Sequence, residues 1–164
     1  MDKSSLLSQL TRRLEDALAV AKKSSADAAQ AVKTLATESE KKDDARAALE
    51  FVGLAAGHAK RLRQLGEELD ALAAVRPRAL SRKDPVEVGA VVEIEDDDTG
   101  EGRTFFVLPV GAGTELTGPG GDGYLTVVTG ASPVGKAVLG RRVGETIELV
   151  VHGEQRAWTI AHVE

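Results

Sequence analysis

Leu65-Gly66-Glu67-Glu68-Leu69-Asp70-Ala71-Leu72-Ala73-Ala74-Val75-Arg76-Pro77-Arg78 is where the chain changes character. Pro77 is the first proline, and the residues before it are rich in Ala, Leu, Glu, Lys and Arg, all strong helix formers. Glycine interrupts that stretch only at Gly53, Gly57 and Gly66. After Pro77 the composition turns to Val, Gly, Thr and Pro, which reads as strands joined by turns. The expected class is α+β: a helical hairpin over residues 1–76, a linker over 77–85 and a small β-rich domain over 86–164.

Back from the junction, Leu72, Leu69, Leu65, Leu62, His58, Ala55, Phe51 and Ala48 recur at alternating spacings of three and four. The same rhythm runs through Leu7, Leu10, Leu14, Ala17, Ala21, Ser24, Ala28, Ala31 and Leu35. This is the seam pattern of a coiled coil. Between the runs, Thr37-Glu38-Ser39-Glu40-Lys41-Lys42-Asp43-Asp44 is wholly polar, so the chain is expected to turn back near Ser39 or Glu40. An antiparallel hairpin then pairs Leu7 with Leu72, Leu14 with Leu65, Ala21 with His58 and Ala28 with Phe51. Each arm of ~30 residues extends ~45 Å. Phe51 and His58 are expected to fill space left by alanines, and no second ligand accompanies His58 for a metal role. Gly53 and Gly57 suggest close helix approach or a local bend. The competing reading is an intermolecular coiled coil that only dimerises the chain, but alanine-rich seams bury little apolar area for that purpose.

Forward from the junction, Ala90 to Glu95 alternates aliphatic and polar residues as a strand does, and Asp97-Asp98-Thr99-Gly100 reads as a turn. Thr104 to Val110 is the next expected strand, Gly111 to Gly123 a glycine-rich loop and Tyr124 to Val128 a further strand. Ser132 to Leu139 reads as a short helix capped by Ser132, with Pro133 in its first turn and Gly140 at its end. Thr146 to Val151 and Gln155 to Val163 form a hairpin around His152-Gly153-Glu154, with Trp158 in the core.

Bulk composition narrows the function. The formal net charge of -5 argues against independent DNA binding, which calls for a basic surface. Aromatics at 3% are too few for a base-stacking platform. No run nears the ~20 apolar residues that span a bilayer, and the N-terminus lacks the apolar stretch of a secretion signal. With no cysteine, disulfides and thiolate metal sites are out of reach, and a cytoplasmic protein is expected.

The segment Ala131-Ser132-Pro133-Val134-Gly135-Lys136-Ala137-Val138-Leu139-Gly140-Arg141-Arg142-Val143-Gly144-Glu145 closely resembles the C-terminal signature of the GreA/GreB transcription factors. Upstream, Val88-Gly89-Ala90-Val91-Val92 followed by acidic residues resembles the family's opening strand. The resemblance covers about residues 86–164. It implies an FKBP-like C-terminal domain that docks at the rim of the secondary channel of bacterial RNA polymerase, and a coiled-coil hairpin that enters the channel. It also implies that Ser132 and Pro133 belong to the docking loop; Ala131 stands where an acidic or polar residue is usual. Capping alone also accounts for Ser132, and the two readings are compatible.

Gre factors stimulate the polymerase's own hydrolysis of backtracked RNA, which calls for a second Mg²⁺ steadied beside the polymerase's first. Carboxylates suit that hard cation, and a thin rod must carry them to it. Counting from Ala45 places Glu40 and Asp43 at the family's two tip acids, while Lys41 and Lys42 depart from the pattern and Asp44 replaces an asparagine. The resemblance thus implies Mg²⁺ held by Glu40 and Asp43 only in the polymerase complex, with no intrinsic catalysis. The plainer reading is that Asp43 or Asp44 caps the second helix. Arg12, Arg13, Lys22, Lys23, Lys33, Lys60, Arg61 and Arg63 read as a solvated face, and the family's basic patch implies contact of some of them with the extruded RNA 3′ end. Two readings follow on equal terms, a transcript-cleavage stimulator and a channel-binding regulator that does not promote cleavage. A peptidyl-prolyl isomerase is the third, and it needs an aromatic-lined apolar pocket from Phe105, Phe106, Tyr124 and Trp158.

Overall fold

Two long helices come first. A computed structural model describes residues 2–38, 44–118, 121, 123–151 and 153–164, with the side chains of 36–38, 44 and 45 outside that description. Helix α1 spans Lys3–Glu38 and α2 spans Asp44–Ala73. The Asp2 carboxylate caps α1 by accepting from the backbone N–H groups of Ser4 and Ser5 at 3.1 and 3.3 Å. Arg76 closes α2 by donating to the carbonyl of Ala73 at 2.6 Å, where a cation meets the negative end of the helix dipole. Lys3 Nζ donates to the Arg78 carbonyl at 2.8 Å, so the start of α1 lies against the chain just beyond the end of α2. Since 39–43 join the other ends, the helices run in opposite directions.

The seam is largely where the heptads put it. Leu10, Leu14, Ala28, Leu65 and Leu72 are buried, and Ala17, Ala21, Ser24, Ala31, Leu35, Ala48, Ala55, His58, Leu62 and Leu69 are half-buried. Leu7 is half-buried too, and Leu6, which the heptad leaves out, is fully buried at the base with Leu10 one turn on. Two expectations are corrected. Phe51 stays 38% exposed, so its ring does not fill the seam. Gly53 and Gly57 are exposed, and a Cβ added to either would meet nothing within 4 Å, so they serve no close helix approach.

The chain divides into two compact units, one of Arg12–Asp70 and one of Met1–Thr11 with Ala71–Glu164. The second unit is therefore larger than the segment that begins at Pro77. It holds a six-stranded mixed sheet in the order β3-β4-β2-β1-β6-β5, where β1 is Val91–Asp96, β2 Gly102–Val107, β3 Glu115–Thr117, β4 Tyr124–Val128, β5 Thr146–Val151 and β6 Glu154–Val163. All neighbours pair antiparallel except β2 with β4, which run parallel. The short helix α3, Pro133–Val138, lies between β4 and β5 in the chain. His152 lies outside the described residues.

β3 corrects the reading of 111–123 as loop alone. Its composition hides a three-residue strand, which is held on one side by β4. On its outer side the Gln9 side chain donates to the Thr117 carbonyl at 2.9 Å and accepts from the Thr117 N–H at 3.0 Å. One side-chain amide thus completes the edge as another strand would. Nearby, Leu10 packs against Gly111, where an added Cβ would come within 2.9 Å of a Leu10 methyl.

The β1–β2 turn is organised by Asp96, which is 1% exposed. Its Oδ1 accepts from the N–H groups of Asp98 and Thr99, both at 2.9 Å, and the Arg156 guanidinium lies 3.5 Å from its Oδ2. The backbone donor of Thr99 leads in holding the carboxyl below its ordinary range, against the opposing effect of burial.

Candidate functional site

The loop that enters α3 is built on one hydroxyl. Ser132 has extended backbone, with φ -73° and ψ 152°, and its Oγ accepts from the Gly135 N–H at 3.1 Å. The same oxygen accepts from the Thr129 N–H at 3.2 Å and donates to the Thr129 carbonyl at 2.8 Å. Ser132 is thus the N-cap expected from the sequence, and its hydroxyl is used up in shaping the loop. Pro133 occupies the first turn, where its missing N–H costs nothing, and its ring is exposed.

Gly135 is the residue whose importance the sequence understated. It is buried, and a Cβ there would run into the backbone carbonyl of Thr129. Only a spacing of glycine three residues after a capping serine hinted at this. Arg141 and Arg142 are exposed beside the end of α3; Arg142 Nε donates to the Lys83 carbonyl at 3.1 Å, tying the helix exit to the 81–84 turn. That turn is closed by Asp84, which accepts from the Ser81 N–H at 2.8 Å.

Beside the loop, a cavity of about 760 Å³ opens onto one face of the sheet. Ile94, Phe105, Val128, Leu149 and Trp158 line it, with Ser132 and Pro133 also in its wall. Its origin is geometric, because α3 is only six residues long and cannot cover a six-stranded face. Of the four aromatics weighed for an isomerase pocket, Phe105 and Trp158 line this cavity, whereas Tyr124 is exposed.

Glu40 and Asp43 lie outside the described residues, and of Asp44 only the backbone is described, at the start of α2. Along the helices, Arg12, Arg13, Lys22, Lys23, Lys33, Lys60, Arg61 and Arg63 are all exposed, as expected of a solvated face. Arg61 lies 3.5 Å from Glu68. Among the described residues, no cluster of three acidic, histidine or cysteine side chains has the geometry to hold a metal ion, and no helix is long and apolar enough to cross a membrane.

The family described as "Transcription elongation factor, GreA/GreB, C-term" matches residues 81–164. The transcription elongation factor GreA of Rhizobium etli (strain CIAT 652) is 30% identical over 101 residues, which are 59% of this chain and 56% of that protein. The transcription inhibitor protein Gfh1 of Thermus aquaticus is 39% identical over 62 residues, 38% of this chain and 36% of that one. The matched stretch spans about half the length of the curated GreA relatives. Among solved structures, that of Thermus aquaticus Gfh1 is 26% identical and covers 93% of this chain and 92% of its own, with a TM-score of 0.41.

Proposed function

The chain belongs to the GreA/GreB family of transcription elongation factors, and on that premise we propose that it binds bacterial RNA polymerase at the secondary channel and regulates elongation. The observation that carries this reading is the division of labour at the α3 entry. Ser132 spends its hydroxyl on the loop, which leaves the exposed Pro133 ring on a fixed turn for a partner to touch. A preorganised loop loses little entropy on docking. In this proposal the β-rich unit holds the rim and the hairpin carries Glu40 and Asp43 toward the polymerase's metal site. There the carboxylates would steady Mg²⁺ jointly with the polymerase's own ligands. The chemistry of RNA hydrolysis belongs to the polymerase.

A second reading has its own support. Lys41 and Lys42 stand between the two acids, and two cations there reduce the carboxylates' hold on Mg²⁺. One relative that matches this chain is named as a transcription inhibitor. The test is to add the protein to backtracked elongation complexes and follow shortening of labelled RNA. Shortening that is lost in Glu40→Ala and Asp43→Ala supports cleavage stimulation. Binding without shortening, in competition with a known channel factor, supports the non-cleaving regulator. Neither binding nor shortening overturns the proposal.

A further inference from the structure

The six-stranded sheet treats its two edges differently. At one end β3 is only three residues long, and the Gln9 amide occupies its outer side. At the other end lies β5, whose strand partner is β6 alone. In an antiparallel ladder, alternate residues aim their N–H and C=O groups away from the partner strand. α3 packs near β5, yet among the described residues no hydrogen bond from any element but β6 reaches the β5 backbone. Sheets guard such edges with proline, charge, a bulge or a covering segment. β5 has no proline, and its register with β6 runs unbroken from Thr146 to Val151. Its single charged side chain, Glu148, is engaged by the Gln155 amide. Val150, on the face that turns away from the core, is 73% exposed.

What fits a free strand edge is another strand, because only an extended backbone meets its row of donors and acceptors. β5 can supply that strand itself. Two copies laid antiparallel with Leu149 on the twofold axis set Leu149 opposite Leu149, Ile147 opposite Val151 and Glu148 opposite Val150. Apolar side chains then pair on the core-facing side, where Ile147 and Leu149 are buried, and no like charges meet. Moving the axis to Glu148 sets two carboxylates face to face, which is unfavourable. Moving it to Val150 leaves only Leu149–Val151 overlapping. We propose that the open edge of β5 pairs with the β5 edge of a second copy of this chain, antiparallel about Leu149. The contact is confined to Ile147–Val151 of each copy, well short of a standard interface, so the dimer is weak and concentration-dependent. This pairing goes beyond the polymerase reading and does not rest on it.

The test uses the full-length protein alone, in sedimentation equilibrium and ¹H–¹⁵N spectra over a concentration series up to about 1 mM. The average mass is expected to rise toward that of a dimer, while amides of Ile147–Val151 shift and gain protection from exchange. Charge placed at the exposed Val150 leaves the fold intact and reads the register. Val150→Lys sets a lysine opposite Glu148 of the second copy, whereas Val150→Glu sets a glutamate there. The lysine variant should associate about tenfold more tightly than the glutamate variant, since each dimer holds two such pairs. A protein that stays monomeric throughout the series overturns the proposal. Equal weakening by the two charges overturns it too, since that describes a plain apolar patch. So does association that leaves the β5 amides unmoved, which assigns the contact to another surface. Because no polymerase is present, none of these outcomes touches the function proposed above.

Discussion

Ser132 and Gly135 form one closed unit, the serine oxygen accepting from the glycine N–H at 3.1 Å while the glycine leaves room for the Thr129 carbonyl. The loop that enters α3 is therefore held from inside by Ser132 and displays Pro133 outside. The two residues of the Ser-Pro pair should then fail differently when changed.

Ser132→Ala removes the N-cap and leaves backbone donors of the loop without their acceptor. A loss of about 1 kcal/mol in urea unfolding is expected, together with weaker polymerase binding. Pro133→Ala changes an exposed ring and should leave stability within about 0.5 kcal/mol. Polymerase affinity should fall nonetheless. Equal stability losses in the two variants would contradict this separation.

Gly135→Ala drives a methyl group into the Thr129 backbone, which cannot swing aside as a side chain would. A loss of about 3 kcal/mol is expected, at the upper end of ordinary overpacking. The denaturant midpoint should drop with little change in slope. Ala137→Gly, two residues further along α3, serves as a control for simple helix propensity and should cost about 1 kcal/mol.

Gln9→Ala removes both hydrogen bonds that complete the outer edge of β3. Because the pair is exposed and water replaces it, the expected loss is about 1 kcal/mol. The Thr117 amide should exchange with solvent much faster, while amides in the β1–β6 ladder keep their protection. Unchanged exchange at Thr117 would remove Gln9 from its role as an edge cover.

Asp96 sets an acid limit on stability. Its folded pKa is lowered, so the unfolded chain binds the proton more readily than the native chain. The stabilisation is present above the unfolded carboxylate value of about 3.9 and is lost as pH falls through the lower folded value. Asp84 is lowered as well, chiefly by the Ser81 backbone donor, and acts in the same window. Thermal midpoints measured from pH 7 down to pH 2 should fall below about pH 4. Asp96→Asn should lower the plateau and flatten part of that decline, leaving the share due to Asp84. A decline as steep as that of the parent protein would assign the acid sensitivity elsewhere.

Much of this was legible from local chemistry. Heptad spacing marked the helices because a packed helix must bury one stripe, and that constraint repeats every turn wherever the partner lies. The cap at Ser132 and the glycine at Gly140 are equally local, since they depend on backbone groups a few residues away. The resemblance around 131–145 named the family from side chains that stand close together in the chain. Tertiary structure alone decided what depends on distant partners. Leu6, which the heptad leaves out, is fully buried because the start of α1 packs with the β-rich region, a fact heptad phase does not contain. The strand at Glu115–Thr117 forms because β4 and Gln9 satisfy its two edges, and nothing in its own three residues calls for it. Likewise Trp158 sits in the core as its sequence reading expects, whereas the cavity beside it depends on how distant strands and the six-residue α3 come together.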